Sequence, residues 1–256
     1  MKIAPCFSLK RCCYLALLLI QLSVSSVIYA SPEISITGLT SELEANARAY
    51  LALSKETCET PQWKIKRLFD KSPEQIEKAV RALGYYHSKI QKSLTWEEGC
   101  WASVFNIQLG PPMLIKELDI QVLGAGAEEP FFAELLINNS IQIGNIVNHG
   151  QYEALKSSLK AQAEAKGYFD NHYELKQLAV DLESNTAKVQ LHLQTGNRYY
   201  ISRITISENA LDPEFTRKFL QIEPGEAYDR EKIVEAHQLF DTYGYYKNVQ
   251  LKYLRK

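Results

Sequence analysis

Three copies of a glycine followed by two aromatic residues divide the chain, at intervals of 83 and 77 residues. The copies are Gly84-Tyr85-Tyr86, Gly167-Tyr168-Phe169 and Gly244-Tyr245-Tyr246. Each follows a segment with apolar residues at helical spacing, which predicts that the tripeptide ends a helix. Glycine suits the left-handed position just beyond a helix, and the next aromatic side chain can pack back on the last turn. We therefore interpret the tripeptides as structural rather than ligand-binding residues, and the chain as three repeats of one unit.

Each unit is predicted to contain two helices. In the first unit, Ser72 is expected to cap the longer helix, with Pro73 at its first position and Gln75 completing a capping box. The corresponding helices of the other units are expected before Gly167 and from about Asp229 onward. A shorter helix is expected earlier in each unit, at residues 40–53, 130–136 and 212–220.

Alternating apolar residues predict the strands. One strand is expected after each tripeptide, at residues 87–94, 173–180 and 249–253. A second follows in the first two units, with apolar alternation at 105–109 and 189–193, and another opens the second and third units, reaching Val122 and Ile206. The predicted fold is α+β, made of tandem β-α-α-β-β units, each a three-stranded mixed sheet with two helices on one face. The other face and an edge strand are then left toward solvent.

The predicted domains are residues 31–110, 111–195 and 196–256, joined by short segments without a flexible linker. The third unit is expected to be incomplete, because the sequence ends at Lys256 after the strand that follows its tripeptide. Its last strand would then be missing, and we expect this unit to be poorly ordered for that reason.

Residues 1–30 are typical of a secretory signal peptide. Basic residues precede an unbroken apolar run at residues 14–20, and Ala30 offers a small residue at the cleavage point. The alternative is a membrane anchor. A spanning helix needs about 20 apolar residues, whereas polar residues interrupt this run from Gln21 onward. The sequence therefore favours export and cleavage.

Two cysteines, Cys58 and Cys100, lie outside the predicted signal peptide. They are predicted to form a disulfide, since disulfides persist in exported proteins. The bond would close a loop of 43 residues, which contributes roughly 4 kcal/mol in the chain-entropy model. The alternatives are two free thiols or a metal-binding pair. The closest histidine, His87, stands alone on a predicted strand.

Neither charge nor motifs favour nucleic-acid binding or catalysis. The formal net charge is −1, with 29 basic and 30 acidic residues, so no basic stripe points to nucleic acid. No nucleophile-elbow, Walker or metalloprotease motif is found. His172 and His192 could face each other across a hairpin, but the sequence indicates no carboxylate partner. We therefore expect a binding protein rather than an enzyme, with no cofactor and no metal site.

The repeat resembles the POTRA domain, the polypeptide-transport-associated unit of the Omp85 superfamily of outer-membrane proteins. Three features carry the resemblance: the helix that ends in glycine and two aromatics, the strand opening at residues 196–201, and the stretch from Ile222 to Asp229 between the helices of the third unit. The cysteine pair of the first unit is also similar to that family. The number of units, three, is similar to that of the translocation and assembly module branch of the family. The resemblance covers residues 33–256.

The resemblance implies where the chain works and what it binds. A scaffold of this family is expected at the periplasmic face of the outer membrane, where the full-length form would carry an outer-membrane β-barrel. Expected partners are unfolded outer-membrane protein or autotransporter precursors, paired to a sheet edge by β-augmentation, and an inner-membrane-anchored, TamB-like partner. The alternatives left open are the POTRA region of a two-partner secretion transporter and a passive periplasmic spacer.

Overall fold

The computed structural model describes residues 31–97, 99–205 and 212–242. Its helices are α1 (Ser41–Tyr50), α2 (Gln62–Ala82), α3 (Pro130–Ile137), α4 (His149–Ala165), α5 (Pro213–Leu220) and α6 (Arg230–Thr242), and a short 3-10 turn at Ala52–Lys55 follows α1. Its strands are β1 (Glu33–Thr37), β2 (Lys89–Glu97), β3 (Cys100–Gln108), β4 (Leu114–Leu123), β5 (His172–Asp181) and β6 (Thr186–Gln194). The predicted signal peptide, the tripeptide that begins at Gly244 and the predicted strand at 249–253 lie outside the described residues.

Two three-stranded sheets form the frame of the first two units. Sheet one has the order β1-β3-β2, and sheet two has the order β4-β6-β5. In each sheet the last strand of the unit is central. It pairs in parallel with the unit's first strand and antiparallel with the strand before it. The predicted α+β fold with mixed three-stranded sheets is therefore confirmed, whereas the residue boundaries of the units stay a prediction.

In each of the first two units the helices cover one face of the sheet, and a core forms between the helices and that face. The buried strand positions alternate, as at Phe105, Ile107, Val189, Leu191 and Leu193. They share their cores with the apolar faces of α2 and α4. Alternation along strands and helical spacing along helices identify most of these positions in the sequence. Trp101, which is 1% exposed, is a core residue that the pattern did not single out.

The predicted start of the long helix in the first unit is wrong. α2 begins well before Pro73 and continues through it. Ser72 is buried inside the helix, where its hydroxyl donates to the carbonyl oxygen of Leu68 at 2.9 Å. The side-chain oxygen of Gln75 accepts the backbone N–H of Ala52 at 3.0 Å rather than completing a capping box. A serine inside a helix can donate to an earlier carbonyl, so the same sequence pattern occurs at a helix start and within a helix. Here burial of the amphipathic face outweighs the capping pattern, and the helix continues.

A proline inside a helix leaves one carbonyl without its usual donor. For Pro73 that carbonyl belongs to Phe69, and it accepts a hydrogen bond from the ammonium group of Lys92 at 2.9 Å. The Lys92 nitrogen also lies 4.4 Å from the centre of the Phe69 ring, a cation–π contact. Because Lys92 belongs to β2, this contact ties the edge strand of sheet one to α2 where the proline weakens the helix.

Ser103 in β3 is 1% exposed, and its buried hydroxyl has no hydrogen-bond partner among the described residues. An unsatisfied buried polar group costs about 1–3 kcal/mol, so we expect Ser103→Ala to raise the free energy of unfolding by about 1 kcal/mol. Urea unfolding measures this change. Ser72→Ala is the matched control, since Ser72 is equally buried but donates to Leu68, and it should bring no gain. A Ser103→Ala variant that is less stable than the unmodified chain would show that the Ser103 hydroxyl does not destabilise the fold.

The third unit is described in part. α5 and α6 lie where the sequence predicts them, and Ile222, Ala236 and Phe240 belong to a small buried cluster. Residues 201–205, predicted as part of a strand, form no regular strand. In the first two units the corresponding strand pairs in parallel with the unit's last strand. No such strand is among the described residues of the third unit.

Cys58 and Cys100 are joined by a disulfide, with their Cα atoms 4.6 Å apart. The bond fastens the loop after the 3-10 turn to the first residue of β3. Beside it, the indole N–H of Trp101 donates to the carbonyl oxygen of Thr57 at 3.0 Å. In this structure the two thiols are therefore neither free nor a metal-binding pair.

Candidate functional site: the joints between units and the free sheet edges

The first two tripeptides lie at the ends of α2 and α4. Gly84 and Gly167 have φ angles of +91° and +87°, the left-handed region that favours glycine. The N–H groups of Gly84 and Tyr85 donate to helix carbonyls three and five residues earlier, and Gly167 and Tyr168 make the same pair of bonds. This pair of bonds is the Schellman motif, which satisfies the last carbonyls of a helix.

The first joint, between units one and two, is a short backbone ladder that begins at the tripeptide. The N–H of Met113 donates to the carbonyl oxygen of Gly84 at 2.8 Å, which links the opening of β4 to the end of α2. The N–H of Val147 donates to Met113, and the N–H of Ile115 donates to Asn145, both at 2.9 Å. The loop before α4 therefore pairs with the opening of β4, and both are fixed against the first unit.

The second joint, between units two and three, repeats this ladder. The N–H of Tyr199 donates to the carbonyl oxygen of Gly167 at 2.9 Å. The N–H of Tyr228 then donates to Tyr199 at 2.9 Å, and the N–H of Ile201 donates to Glu226 at 2.8 Å. Because two joints far apart in the sequence share one hydrogen-bond scheme, the geometry of the joint is a property of the repeat.

In the first two tripeptides, the third residue packs on the following unit. Tyr86 contacts the core of the second unit, and its hydroxyl lies 2.6 Å from Nε2 of His149 at the start of α4. Phe169 packs edge-on against Tyr199 and Tyr228, with ring centres 5.5 and 4.8 Å away. The tripeptides of the first two units thus bring together the end of one unit and the start of the next. The third, at Gly244-Tyr245-Tyr246, lies outside the described residues.

Charged side chains surround the second joint. Arg198 donates through Nε to the carbonyl oxygen of Lys166 and through Nη1 to Glu129, both at 3.0 Å. The hydroxyl of Tyr168 donates to the same carboxylate at 2.9 Å, and burial followed by that contact raises the pKa of Tyr168 to about 12. Lys166 pairs with Asp229 at 3.0 Å. Burial disfavours the Lys166 ammonium, but its hydrogen bonds to carboxylates outweigh burial and raise its pKa. Ion pairs therefore add to the backbone ladder here.

The first joint is instead expected to depend on pH. Burial lowers the pKa of His149 below its ordinary value of 6.5, and the nearby Glu153 only partly offsets this effect. A histidine with a lowered pKa binds fewer protons when folded than when unfolded. Its contribution to stability is therefore complete above about pH 6.5 and is lost as the pH falls through the folded value. The other titratable group in contact is Tyr86, whose pKa burial raises, so it stays protonated.

We expect the first joint to loosen between pH 7.5 and pH 5.5. Spin labels at the exposed positions Thr95 and Lys160 place one probe in each unit, and pulsed electron resonance should show a broader distance distribution at the lower pH. His149→Gln is the matched control, because it keeps a polar side chain but does not titrate. Equal broadening in that variant would assign the pH effect to other groups.

Four strands form the outer edges of the two sheets. β1 has five residues. The opening of β4 is covered, since Ile115 donates to Asn145 and accepts from Gly144. β2 and β5 have nine and ten residues, and within residues 31–97 and 99–205 no strand pairs with their outer sides. These two strands therefore present the longest free rows of backbone N–H and C=O groups in the described units.

His172 and His192 do not face each other, contrary to the possibility raised by the sequence. In the register of sheet two, His172 lies opposite Gln194. Nε2 of His192 lies 2.9 Å from a carboxylate oxygen of Asp119 on β4. Hydrogen bonds from two glutamine side chains and then from His192 lower the pKa of that carboxyl. The sequence did not indicate this partner, because the parallel pairing of β4 with β6 brings it from 73 residues away.

Residues 31–97, 99–205 and 212–242 contain no group of three or more histidine, cysteine, aspartate or glutamate side chains that could hold a metal ion. Within the same ranges, no helix combines the length and the apolar character that crossing a membrane requires.

Two family models match the sequence. Residues 33–109 match the model described as POTRA domain TamA domain 1, and residues 199–255 match the POTRA model, described as surface antigen variable number repeat. Together they cover just over half of the 256 residues.

Among the solved structures that match the chain are three from Haemophilus influenzae, Anabaena and Thermosynechococcus elongatus. POTRA domains 3–5 of BamA from Haemophilus influenzae share 13% identity at a TM-score of 0.44, over 87% of this chain and 88% of that chain. POTRA domains 1–3 of Omp85 from Anabaena share 17% identity at a TM-score of 0.31, over 86% of each chain. The N-terminal domain of Omp85 from Thermosynechococcus elongatus shares 14% identity at a TM-score of 0.32, over 85% and 87%.

These TM-scores lie below 0.5, so the family assignment rests on the two family models. One model covers the first predicted unit, and the other covers most of the third. Both agree with the resemblance carried by the repeated tripeptide and the strand openings. The chain therefore belongs to the POTRA-domain proteins.

Proposed function

We propose that the chain is the periplasmic POTRA region of an outer-membrane assembly factor of the TamA kind, and that it binds unfolded precursor polypeptides by β-augmentation. In this proposal a signal peptide at residues 1–30 precedes POTRA domains at 31–110, 111–195 and 196–256. The precursors are outer-membrane proteins such as autotransporters, and a TamB-like protein anchored in the inner membrane is the partner. The role is binding and positioning, without catalysis or a cofactor.

The observation that carries the proposal is the pair of long free edges, β2 and β5. Each has one side without a strand partner among the described residues. An extended polypeptide can add to such an edge through main-chain hydrogen bonds. Main-chain pairing requires no particular side chain, so one edge can accept precursors of many sequences.

Two further observations support the TamA-like and periplasmic parts of the proposal. Residues 33–109 match the first POTRA domain of TamA, which favours that branch over a two-partner secretion transporter. The Cys58–Cys100 disulfide lies in the same unit, and disulfides are typical of oxidising compartments such as the periplasm.

Amide hydrogen–deuterium exchange of the full chain tests the proposal. The probe is a ten-residue peptide copied from a strand of an outer-membrane barrel. We expect slower exchange along β2 or β5, because their free N–H groups would become hydrogen-bonded to the peptide. The control peptide has the same sequence with N-methyl groups at alternate residues on its pairing edge, and it should give no protection.

Two outcomes would count against the proposal. Equal protection by the N-methylated peptide, or protection confined to the helices, would mean that the peptide does not bind as an added strand. Absence of binding by every barrel-strand peptide would favour a passive spacer.

A further inference from the structure

The two free edge strands meet at the first joint. β5 ends at Asp181, and the carbonyl oxygen of the next residue, Leu182, lies 3.1 Å from Nε2 of His87. His87 stands two residues before β2 begins. The turn after β5 is fixed there by a second contact, since the N–H of Leu114 donates to the carbonyl oxygen of Asn185 at 3.0 Å. The end of one edge strand therefore lies beside the start of the other.

The two edges follow each other head to tail at the first joint. β5 approaches the first joint with its carboxyl end, and β2 leaves the joint from its amino end. Each is antiparallel to the central strand of its own sheet. A segment that pairs antiparallel with β5 would therefore reach β2 in the same orientation, without reversing its chain.

The side chains of β2 alternate strictly between half-buried and exposed, whereas the alternation of β5 is interrupted by a bulge between Tyr173 and Leu175. On the helix-covered side β2 carries the half-buried residues Ile90, Lys92, Leu94 and Trp96, and β5 carries Tyr173, the exposed Lys176 and Leu178. Apart from the two lysines, these are apolar side chains that a further strand would cover. The opposite side of β2 carries mainly uncharged polar residues, at positions 91, 93 and 95. The segment that fits best is one whose residues alternate between apolar and polar, because successive side chains of a strand point to opposite faces.

We propose that one continuous, alternating amphipathic segment of about twenty residues, roughly 65 Å when extended, pairs with β5 and β2 together across the first joint. This inference rests on the proposed β-augmentation and specifies its client. The strands contribute ten and nine residues of free edge, so the client is an unfolded segment about twice as long as one membrane-spanning β-strand.

Isothermal titration calorimetry of the full chain provides the first test. The probes are a synthetic twenty-residue peptide of alternating valine and threonine with lysines at both ends, and its two ten-residue halves. Joining two binding halves increases affinity by about 100- to 10,000-fold when the geometry allows both to engage. We expect the long peptide to bind at least about 100-fold more tightly than either half, with one peptide per chain.

Photo-crosslinking locates the two ends of the long peptide. A benzoylphenylalanine near its amino end should label β2 and one near its carboxyl end should label β5, or the reverse for the parallel orientation. Tyr86→Ala, which removes the aromatic contact of the first joint, should reduce the gain of the long peptide and leave the halves unchanged. Tyr86→Phe is its matched control, because the ring is retained.

The outcomes separate this inference from the proposed function. If the halves protect β2 or β5 but the long peptide binds no more than about twofold better, the continuous edge is wrong and β-augmentation stands. Labelling of one strand by both ends, or two long peptides per chain, would also overturn it. Failure of every peptide to bind an edge would overturn the proposed function itself. Pairing of two chains through these edges would appear as a dimer that the peptide cannot dissociate, and would likewise contradict the inference.

Discussion

Replacing Cys58 and Cys100 together by alanine should lower the free energy of unfolding of the first unit by about 4 kcal/mol. The disulfide spans 42 positions in the sequence, so it removes much of the freedom of the unfolded chain. The three tryptophans, at positions 63, 96 and 101, all lie in this unit. Tryptophan fluorescence during urea unfolding therefore reports on the first unit, and the expected result is a lower urea midpoint.

The disulfide prediction has an internal control in the reduced protein. Dithiothreitol should shift the unfolding midpoint of the unmodified chain to that of the double variant and should leave the double variant unchanged. The contact of Trp101 with Thr57 is expected to weaken in both cases, since the bond that holds the loop beside β3 is gone. A double variant as stable as the unmodified chain would show that the loop is held by its packing alone.

Gly84→Ala is the second change with a large expected effect, a loss of about 3 kcal/mol. The left-handed conformation costs a residue with a Cβ about 1–2 kcal/mol, and overpacking adds about 1–3 kcal/mol. A Cβ at Gly84 would lie 2.5 Å from Cγ2 of Ile146 and 2.6 Å from the carbonyl oxygen of Val147. We expect faster amide exchange at Met113 and Val147, whose hydrogen bonds form the first joint.

Gly144→Ala is the control that separates the backbone cost of the left-handed conformation from the steric clash of the added Cβ. Gly144 has a φ of +88°, close to that of Gly84, but a Cβ there would meet no atom within 4 Å. It should lose only the conformational part, about 1–2 kcal/mol. Similar losses in the two variants would show that the neighbouring loop yields to the added methyl group and that the joint does not require glycine.

Much of the fold could be read from the sequence because its signals are local. A glycine just beyond an amphipathic helix and strict alternation along β3 and β6 depend on neighbours within a few residues. The prediction from local sequence was wrong at Ser72-Pro73, where a sequence pattern typical of a helix start occurs inside α2. The helix continues there because its apolar face is buried, and because Lys92 of a distant strand satisfies the carbonyl of Phe69.

The sequence by itself determined the repeat, the order of its elements and the cysteine pair. Only the tertiary structure decided what these features touch. It placed Tyr86 on the following unit rather than its own, paired His192 with Asp119, and set the end of β5 beside His87. These contacts join residues from 63 to 95 positions apart, so no local pattern encodes them. The tripeptide is therefore readable as the end of a helix from sequence, and as a joint between units only from packing.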